Sequence, residues 1–483
     1  MYYRLKPMIR LRGWKLLPYA LVNSSSGEAR FIDKAMFDVA ELCNGLVDFD
    51  LPFISDAARR NLSRLVEAGI VEVCRNGETI KEEQKYRRYD NRYMQSVQWS
   101  ITGRCNCKCR HCYLSGAEDR YGELSHEDIM KIIDDMGKCG VLRCEITGGE
   151  PLVRSDFWEI IDALKERGIV ISQIYSNGLA VNESILNGLA ERDLFPEFNM
   201  SFDGIGYHDW LRGIDGAEKK VREAFTLCRA YGFPTGAEMC LWKENRHVLR
   251  DTVNYLASVG CRSVKVVPVT NIGAWLENGH NEEHGITEEE LYQVYYDYLD
   301  DFYRDLPHID VQLGSLFFAN GKDPDHYDLP SVHPCSDPEK VCLCVHARNH
   351  MYISPEGRAS TCMAISNDEE FTRYFPFVQE IGMQKCLTDS KYMELLTIRA
   401  SQVLAHNPKC TDCKYRKYCL GGCRAGAAVY HPKDILGVDE SICRMFVGGW
   451  VDKVFKKIKM LRPSASCPEM KYFDFDTALS RGM

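Results

Sequence analysis

Apolar residues along the middle of the chain follow two alternating patterns. Short runs rich in β-branched and aromatic residues predict strands, at 97–101, 144–147, 170–175, 198–202, 235–241 and 263–268. Between them, apolar residues at helical spacing predict helices, at 125–136, 156–167, 182–192, 217–231 and 247–259, with a long helix at 287–306. Repeated strand–helix units pack as parallel strands covered by helices. The pattern therefore predicts an α/β fold, a partial (β/α)6 barrel over 96–325, with ligands at the carboxyl ends of its strands.

A smaller α+β pattern precedes the barrel at 1–85. Two apolar runs around a Ser- and Gly-rich turn predict a β-hairpin within 19–32. Asp33 is the expected N-cap of a first helix and Asp56 of a second, and a closing strand follows at 70–73. This order predicts a winged-helix-like domain.

Two further stretches complete the predicted organisation. The charged residues of 75–95 predict a solvated linker, with 86–95 joining the first domain to the barrel. Residues 326–483 predict a loop-rich, cysteine-rich domain with a C-terminal tail. Weak apolar periodicity in a domain of this kind indicates that bound metal stabilises it.

The 483 residues carry a net charge of −9 and 22 cysteines. The acidic balance argues against nucleic acid as a partner, and no apolar run is long enough to predict a membrane span. The N-terminus lacks the apolar core of a signal peptide. We therefore expect a cytoplasmic protein, in a compartment where stable disulfides are uncommon. The cysteines then indicate metal ligands or redox groups, with disulfides as the alternative.

The densest cysteine motif directly follows the first predicted strand. Cys105, Cys109 and Cys112 have the spacing CxxxCxxC, and Cys107 lies among them. Three thiolates on one loop can hold three irons of a four-iron cluster and leave the fourth open, and an open metal position can bind a substrate or cofactor. A zinc loop with Cys107 as fourth ligand is the alternative. Position at the carboxyl end of a barrel strand favours iron–sulfur chemistry.

A second motif, Gly148-Gly149-Glu150-Pro151, follows the second predicted strand. Paired glycines let a ligand approach the backbone closely, and Glu150 supplies an anionic acceptor for an ammonium group. Together with the cysteine loop, this motif resembles the radical S-adenosylmethionine (radical SAM) superfamily. The resemblance implies that the four residues bind S-adenosylmethionine (SAM) and receive its methionine amino group.

Weaker matches to the same family lie near the motifs. Ser176 and Asn177 resemble ribose contacts, and Ser201 resembles another cofactor contact. Arg212 is expected to pair with the methionine carboxylate. For each of them a structural turn or N-cap role is the alternative. Tyr113 is expected to stack on adenine, with a packed core tyrosine as the alternative.

The resemblance implies chemistry that the cofactor supplies. One electron from the cluster cleaves SAM, and the resulting 5′-deoxyadenosyl radical abstracts hydrogen from an unactivated carbon. The protein positions the reactants and excludes competing reactions. No general acid or base stands out among the many carboxylates, so none is assigned.

Seven cysteines in the C-terminal region are spaced as in the SPASM extension of radical SAM enzymes. The resemblance implies two auxiliary clusters, and so three [4Fe-4S] clusters in the protein. The ligands of the distal cluster are then Cys410, Cys413, Cys419 and Cys443. Those of the proximal cluster are Cys344, Cys362 and Cys423. Its fourth ligand is Cys342, preferred over Cys335, or the site stays open. Structural zinc is the alternative, since CxxC pairs are common in zinc sites.

The N-terminal pattern resembles the peptide-recognition domain of enzymes that modify ribosomally made peptides. It implies β-augmentation, in which a leader peptide adds a strand to an exposed hairpin edge. Tethering then raises the effective concentration of the rest of the peptide. Winged helices also bind DNA, but the second predicted helix, 56–68, balances three arginines against two acidic residues.

We expect a radical SAM maturase that installs an oxidative crosslink, preferably a thioether, in a precursor peptide with a leader sequence. A flavodoxin- or ferredoxin-type protein is the expected electron donor. The alternatives are a carbon–carbon or carbon–oxygen crosslink, formylglycine formation on sulfatases, and a redox-sensing DNA-binding regulator. Sulfatase-modifying enzymes usually place an aspartate after the second extension cysteine, whereas Met363 follows Cys362 here.

Overall fold

A computed structural model describes residues 1–329, 334–335, 337–344, 348–366, 368–373 and 375–467. Most of the predicted C-terminal tail, from residue 468 onward, lies outside the described residues. Among the helices that are described, none is long and apolar enough to cross a bilayer.

The N-terminal region is an α+β unit, as predicted. Its strands are β1 Tyr2–Leu5, β2 Ile9–Gly13, β3 Ala20–Asn23, β4 Glu28–Phe31, β5 Asn44–Asp48, β6 Val71–Cys74 and β7 Arg87–Arg88. Its helices are α1 Lys34–Leu42 and α2 Asp56–Glu67. They form a three-stranded sheet, β5-β1-β6, and a four-stranded sheet, β4-β3-β2-β7. The predicted hairpin is the antiparallel pair β3–β4, whereas β1, β2 and β5 were not predicted.

The predicted N-cap is correct for α1 and one residue off for α2. Asp33 caps α1 as expected, accepting a hydrogen bond from the Met36 backbone N–H at 2.7 Å. The cap of α2 is Ser55 rather than Asp56, because the Ser55 hydroxyl accepts from the Ala58 backbone N–H. Either residue type suits this position, so the one-residue error has little consequence for the fold.

The expected solvated linker at 86–95 is wrong, because this segment packs between the N-terminal sheet and the barrel. Tyr89 and Tyr93 are each only 7% exposed, and both contact the buried Trp14 ring at 5.6 and 4.7 Å. The strand β7 pairs in parallel with β2. Arginines between the tyrosines gave the segment its charged composition, but the tyrosines turn inward and hold the two units together.

The middle region has the predicted α/β fold. Its six parallel strands are β8 Ser96–Ser100, β9 Arg143–Thr147, β10 Val170–Ser176, β11 Glu197–Ser201, β12 Thr235–Leu241 and β13 Ser263–Pro268. Its helices are α3 His126–Cys139, α4 Phe157–Glu166, α5 Glu183–Glu191, α6 His208–Arg212, α7 Ala217–Ala230, α8 Leu249–Ser258, α9 Gly273–Glu277, α10 His280–His284 and α11 Glu288–Asp305. The strands pair as neighbours in chain order, so their carboxyl ends share one edge.

The same sheet continues beyond the six parallel strands on both sides. The added strands are β14 Asp310–Leu313, β15 Phe317–Asn320, β16 Asp323–Asp328, β17 His350–Ile353 and β18 Ala359–Ser360. On one side β14 pairs in parallel with β13, and on the other β17 pairs in parallel with β8. The expected domain boundary at 325/326 therefore falls inside β16.

Short helices make up most of the rest of the C-terminal region. They are α12 Glu369–Thr372, α13 Val378–Ile381, α14 Met383–Cys386, α15 Lys391–Leu396, α16 Ala400–His406, α17 Arg416–Cys419, α18 Arg424–Tyr430, α19 Glu440–Val447 and α20 Trp450–Leu461. The apolar face of α20 contributes Val454 and Ile458 to the main core, where both are fully buried. The C-terminal region thus shares the hydrophobic core of the barrel.

Candidate functional site

The cysteine loop at the carboxyl end of β8 is lined by hydrogen-bond donors. The Gly116 backbone N–H donates to Cys112 Sγ at 3.3 Å, and the Asn177 amide donates to Cys105 Sγ at 3.7 Å. Arg212 Nη1 lies 3.8 Å from Cys109 Sγ. Donors of this kind stabilise thiolates and orient metal ligands. The loop therefore has the chemistry of a metal site with three thiolate ligands.

Cys107 lies among these three thiols and is only 3% exposed. Its thiol is hydrogen-bonded to Cys105 and Cys109 and lowers the pKa of both, that of Cys109 to about 6. In the same arrangement the pKa of Cys107 itself is raised. A neutral Cys107 thiol thus acts as a hydrogen-bond partner of two candidate ligands.

The turn at 148–151 packs directly against the cysteine loop. The Glu150 backbone N–H donates to the Arg104 carbonyl at 2.8 Å, and a Cβ on Gly149 would lie 2.1 Å from that carbonyl oxygen. Real Cβ atoms do not approach backbone that closely, so only glycine fits here. The two sequence motifs are therefore one structural unit at the edge of the sheet.

The Glu150 carboxylate is fully buried and faces the end of β10. It accepts hydrogen bonds from the Ser176 hydroxyl at 3.0 and 3.1 Å and from the Asn177 backbone N–H at 2.7 Å. Burial raises the pKa of Glu150 to about 7 despite these donors. A cationic group placed beside this carboxylate would recover the cost of its burial. The structure thus brings Glu150, Ser176 and Asn177 together, and their predicted contacts with SAM stay predictions.

Arg212 has a partner that the sequence analysis did not assign. It forms a two-point ion pair with Asp203, and Asp203 is completely buried. Asp203 also accepts from the Cys240 backbone N–H at 3.1 Å. Ser201, at the carboxyl end of β11, lies two residues before Asp203. The expected pairing of Arg212 with a methionine carboxylate therefore competes with an ion pair inside the protein.

Two histidines missed by the sequence analysis complete this network. The His208 Nδ1 atom accepts from the Asp203 backbone N–H at 3.1 Å. Burial lowers the pKa of His111 to about 3, with Arg212 adding to the shift, and its Nδ1 has no partner among the described residues. The available signal was the position of His111 inside the cysteine motif. The side chains of His111, Asp203 and Cys240 lie within 4.8 Å of one another, but Asp203 is already paired with Arg212.

Tyr113 is hydrogen-bonded to Tyr352 of β17. The Tyr352 hydroxyl in turn lies 2.8 Å from the Ser100 hydroxyl at the end of β8. Burial raises the pKa of Tyr352 to about 12. The contact favours the packed-core alternative for Tyr113 over adenine stacking, and it links the cysteine loop to the C-terminal region.

The pKa shifts of the C-terminal cysteines indicate which of their thiols influence one another. Burial raises the pKa of Cys419 to about 11, and its neighbours add to the shift, namely Cys410, Cys413 and Cys443. Burial raises the pKa of Cys362 to about 12, and Cys423 and Cys344 add to that shift. Mutual effects of this kind require the thiols of each group to lie close together. These effects indicate proximity within each set, and the assignment of the two sets to two clusters stays a prediction.

The two candidates for a fourth ligand of the three-cysteine group have different surroundings. Cys342 Sγ lies 3.3 Å from Arg348 Nη1. Cys335 packs in a small apolar cluster with Val341, Ala400 and Leu420. The preference for Cys342 stays a prediction.

The site combines two motifs at one edge of a parallel sheet. Three cysteines follow the first parallel strand, β8, and a glycine-rich acidic turn follows the second, β9. Residues 99–256 match the model of the Radical SAM superfamily, so this part of the chain is a radical SAM domain. A radical SAM domain implies SAM and one [4Fe-4S] cluster. The three thiols, Cys105, Cys109 and Cys112, fit that cluster because they share one loop and have N–H donors around them.

Individual proteins extend this comparison. Pre-heme d1 synthase of Dinoroseobacter shibae is 28% identical over 201 residues, which are 40% of this chain and about half (48%) of that protein. PqqA peptide cyclase of Granulibacter bethesdensis is 24% identical over 331 residues, 68% of this chain and 81% of that protein. Streptococcus suis SuiB bound to its precursor peptide SuiA has a TM-score of 0.62 at 16% identity, covering 92% of this chain and 100% of that one. The last likeness concerns the fold.

Proposed function

We propose that this protein is a maturase that installs an oxidative crosslink, with a thioether favoured, in a ribosomally synthesised precursor peptide. One observation carries the proposal: a radical SAM domain and a cysteine-rich C-terminal region share a chain with an α+β unit in which β4 ends a sheet among the described strands. The similarity to a PqqA peptide cyclase over 68% of the chain supports it.

The proposed peptide-recognition domain is residues 1–85, and its docking edge is β4. This strand ends the four-stranded sheet, and it pairs only with β3 among the described strands. Its residues alternate between exposed and half-buried, with Glu28 and Arg30 exposed. A leader peptide that adds a strand here would be held by backbone hydrogen bonds and read by alternate side chains.

In the radical SAM domain, the cofactor supplies a carbon-centred radical that removes hydrogen from the substrate. The protein's own residues bind and orient. Ser176 and Asn177 hold the Glu150 carboxylate. Glu150 would receive the methionine ammonium, and Ser176 and Asn177 would contact the ribose. Gly148, Gly149 and Pro151 shape the turn, and Ser201 provides a further polar contact at the end of β11.

We assign two auxiliary [4Fe-4S] clusters to the two C-terminal cysteine groups. The distal cluster is held by Cys410, Cys413, Cys419 and Cys443, and the proximal one by Cys344, Cys362, Cys423 and Cys342. Forming a thioether removes the thiol hydrogen and one carbon-bound hydrogen, so two electrons must leave the substrate. One electron leaves with the abstracted hydrogen atom, and an auxiliary cluster held by these cysteines would accept the other. A carbon–carbon or carbon–oxygen crosslink obeys the same balance.

The proposed working conditions follow from this chemistry. A flavodoxin- or ferredoxin-type protein supplies the first electron, and the reducing cytoplasm keeps the cluster ligands as thiolates. Formylglycine formation is the weaker alternative, because Met363 follows Cys362.

The deciding experiment is anaerobic co-expression with a short peptide encoded beside this protein's gene, followed by mass spectrometry. The proposal expects loss of two hydrogen atoms per crosslink, and fragmentation that maps the bond to a cysteine sulfur. An unmodified peptide, in the presence of 5′-deoxyadenosine release by the purified enzyme, refutes the substrate assignment. Absence of that release refutes the enzyme assignment itself.

A further inference from the structure

Three arginines share one face of the four-stranded N-terminal sheet. Arg10 and Arg12 are two residues apart on β2, so their side chains point to the same side. Arg87 on β7 is the direct register partner of Arg12. Like charges placed directly opposite each other destabilise a sheet. Among the described residues, none of the three forms an ion pair with a carboxylate, and Arg87 instead lies over the Tyr89 ring at 5.0 Å.

The three arginines line a cleft of about 770 Å³ between the N-terminal sheet and the barrel. Arg12 is only 8% exposed, and its guanidinium donates to three backbone carbonyls. Arg10 reaches across the cleft, because a Cβ on Gly168 of the barrel would lie 2.8 Å from its Nη1. The Nε of Arg10 is buried and, within the described part of the chain, has no hydrogen-bond partner.

The repulsion among the three arginines affects the pKa of Arg12. Burial lowers the pKa of its guanidinium, and Arg10 and Arg87 lower it further, against an opposing effect of Tyr89. Other basic residues of the cleft are already engaged: Arg167 pairs with Asp134 and Lys85 with Glu82. A ligand carboxylate is the group that would satisfy the free donors and cancel the repulsion.

We propose that this cleft binds a carboxylate side chain of the precursor peptide, at a subsite separate from the β4 edge. The proposal rests on the proposed function, since it takes the peptide as the ligand. Tyr86 adds a half-buried aromatic ring to the cleft, which a peptide can contact and an inorganic anion cannot. Val22 lines the cleft and belongs to β3, the strand paired with β4. One peptide can therefore occupy both the cleft and the β4 edge.

The test measures binding of a fluorescein-labelled hexaglutamate peptide to the anaerobically reconstituted full-length protein by fluorescence anisotropy. Arg10→Gln and Arg87→Gln each remove one charge from the cleft. Arg75→Gln is the matched control, because Arg75 is exposed in the same domain and does not line the cleft. We expect each cleft variant to bind about tenfold more weakly, the control to bind like wild type, and a hexaglutamine peptide not to bind.

Thermal unfolding of each variant without peptide shows whether weaker binding comes from the lost arginine or from a destabilised fold. Because the arginines repel one another, Arg87→Gln is expected to unfold at the same temperature as wild type or higher at low salt, and the gain should vanish at high salt. Unchanged hexaglutamate binding in both cleft variants overturns the proposal. Competition by inorganic phosphate as strong as that by hexaglutamate assigns the site to a free anion and overturns the peptide ligand. Neither result depends on turnover, so failure here is distinguishable from failure of the maturase assignment.

Discussion

Asp203 and Arg212 form a buried ion pair whose free end points at the cysteine loop. Arg212 Nε and Nη2 donate to the two carboxylate oxygens of Asp203 at 2.6 and 3.0 Å, while Nη1 lies 3.8 Å from Cys109 Sγ. Asp203 thus fixes the guanidinium and leaves its Nη1 nitrogen for a cluster ligand. Hydrogen bonds to ligand sulfur tune the reduction potential of iron–sulfur clusters.

We therefore predict that Asp203→Asn shifts the reduction potential of the radical SAM cluster, because the N–H donor near Cys109 is no longer held in place and the negative charge of Asp203, which acts on Cys109, is lost. An anaerobic redox titration followed by electron paramagnetic resonance measures the shift. The variant should also lose about 3–5 kcal/mol of stability, because Arg212 stays buried without its partner.

The matched control for this prediction is Asp162→Asn. Asp162 and Arg192 form an ion pair with the same two distances, 2.6 and 3.0 Å, on the outside of the barrel. Its loss should leave the potential unchanged and cost at most about 1 kcal/mol. An unaltered potential in Asp203→Asn would show that the pair serves stability alone.

The affinity for SAM should depend on pH through Glu150. Its pKa is raised to about 7 by burial, so the carboxylate protonates as the pH falls through 7 and can no longer attract an ammonium group. Calorimetric titration of SAM at pH 6, 7 and 8 should give weakening affinity toward low pH in wild type. Glu150→Gln should bind weakly at every pH, and exposed Glu191→Gln should follow wild type.

The raised pKa of Glu150 also makes the stability of the cofactor-free protein depend on pH. Because the folded-state pKa lies above the ordinary value, protonation favours the folded state, and stability falls as the pH rises toward about 7. Glu150→Gln should therefore be more stable than wild type at pH 8 and gain little at pH 4. Urea unfolding of the cluster-free protein measures this difference, and a gain that is equal at both pH values contradicts the assignment.

Cys107 and Cys105 should respond differently to serine substitution. Cys105→Ser removes a ligand of the radical SAM cluster, so bound iron and acid-labile sulfide should fall by about one third if three clusters are present. Cys107→Ser keeps a hydrogen-bond donor beside Cys105 and Cys109 and should retain the full iron content. Equal iron loss in both variants would make Cys107 a ligand and favour a different cluster arrangement.

The β4 edge can be blocked without breaking the hairpin. The Ile32 backbone N–H donates to the Tyr19 carbonyl, and since antiparallel pairs alternate, the N–H of Ala29 faces the open edge. Ala29→Pro should therefore abolish binding of the precursor peptide while 5′-deoxyadenosine release without peptide persists. Ala29→Val is the control and should bind normally. Peptide binding that survives Ala29→Pro would locate the leader elsewhere.

Local sequence predicted the barrel well because its elements are strongly periodic and each lies between clear turns. The six strands and the long helix α11 were located within a few residues, and both cofactor motifs follow strands directly. The segment 86–95 failed for the opposite reason. Its arginines dominate the composition, whereas its tyrosines are buried only because the N-terminal sheet and the barrel meet there.

By itself, the sequence determined the fold class, the radical SAM motifs and the spacing of the C-terminal cysteines, since these depend on residues close together along the chain. The tertiary structure decided which distant residues meet. Asp203 and Arg212 lie beside Cys109, Tyr352 joins Tyr113, and Arg87 lies opposite Arg12. Each of these contacts joins elements that are far apart along the chain. The contacts therefore depend on strand order and packing, which local sequence patterns do not predict.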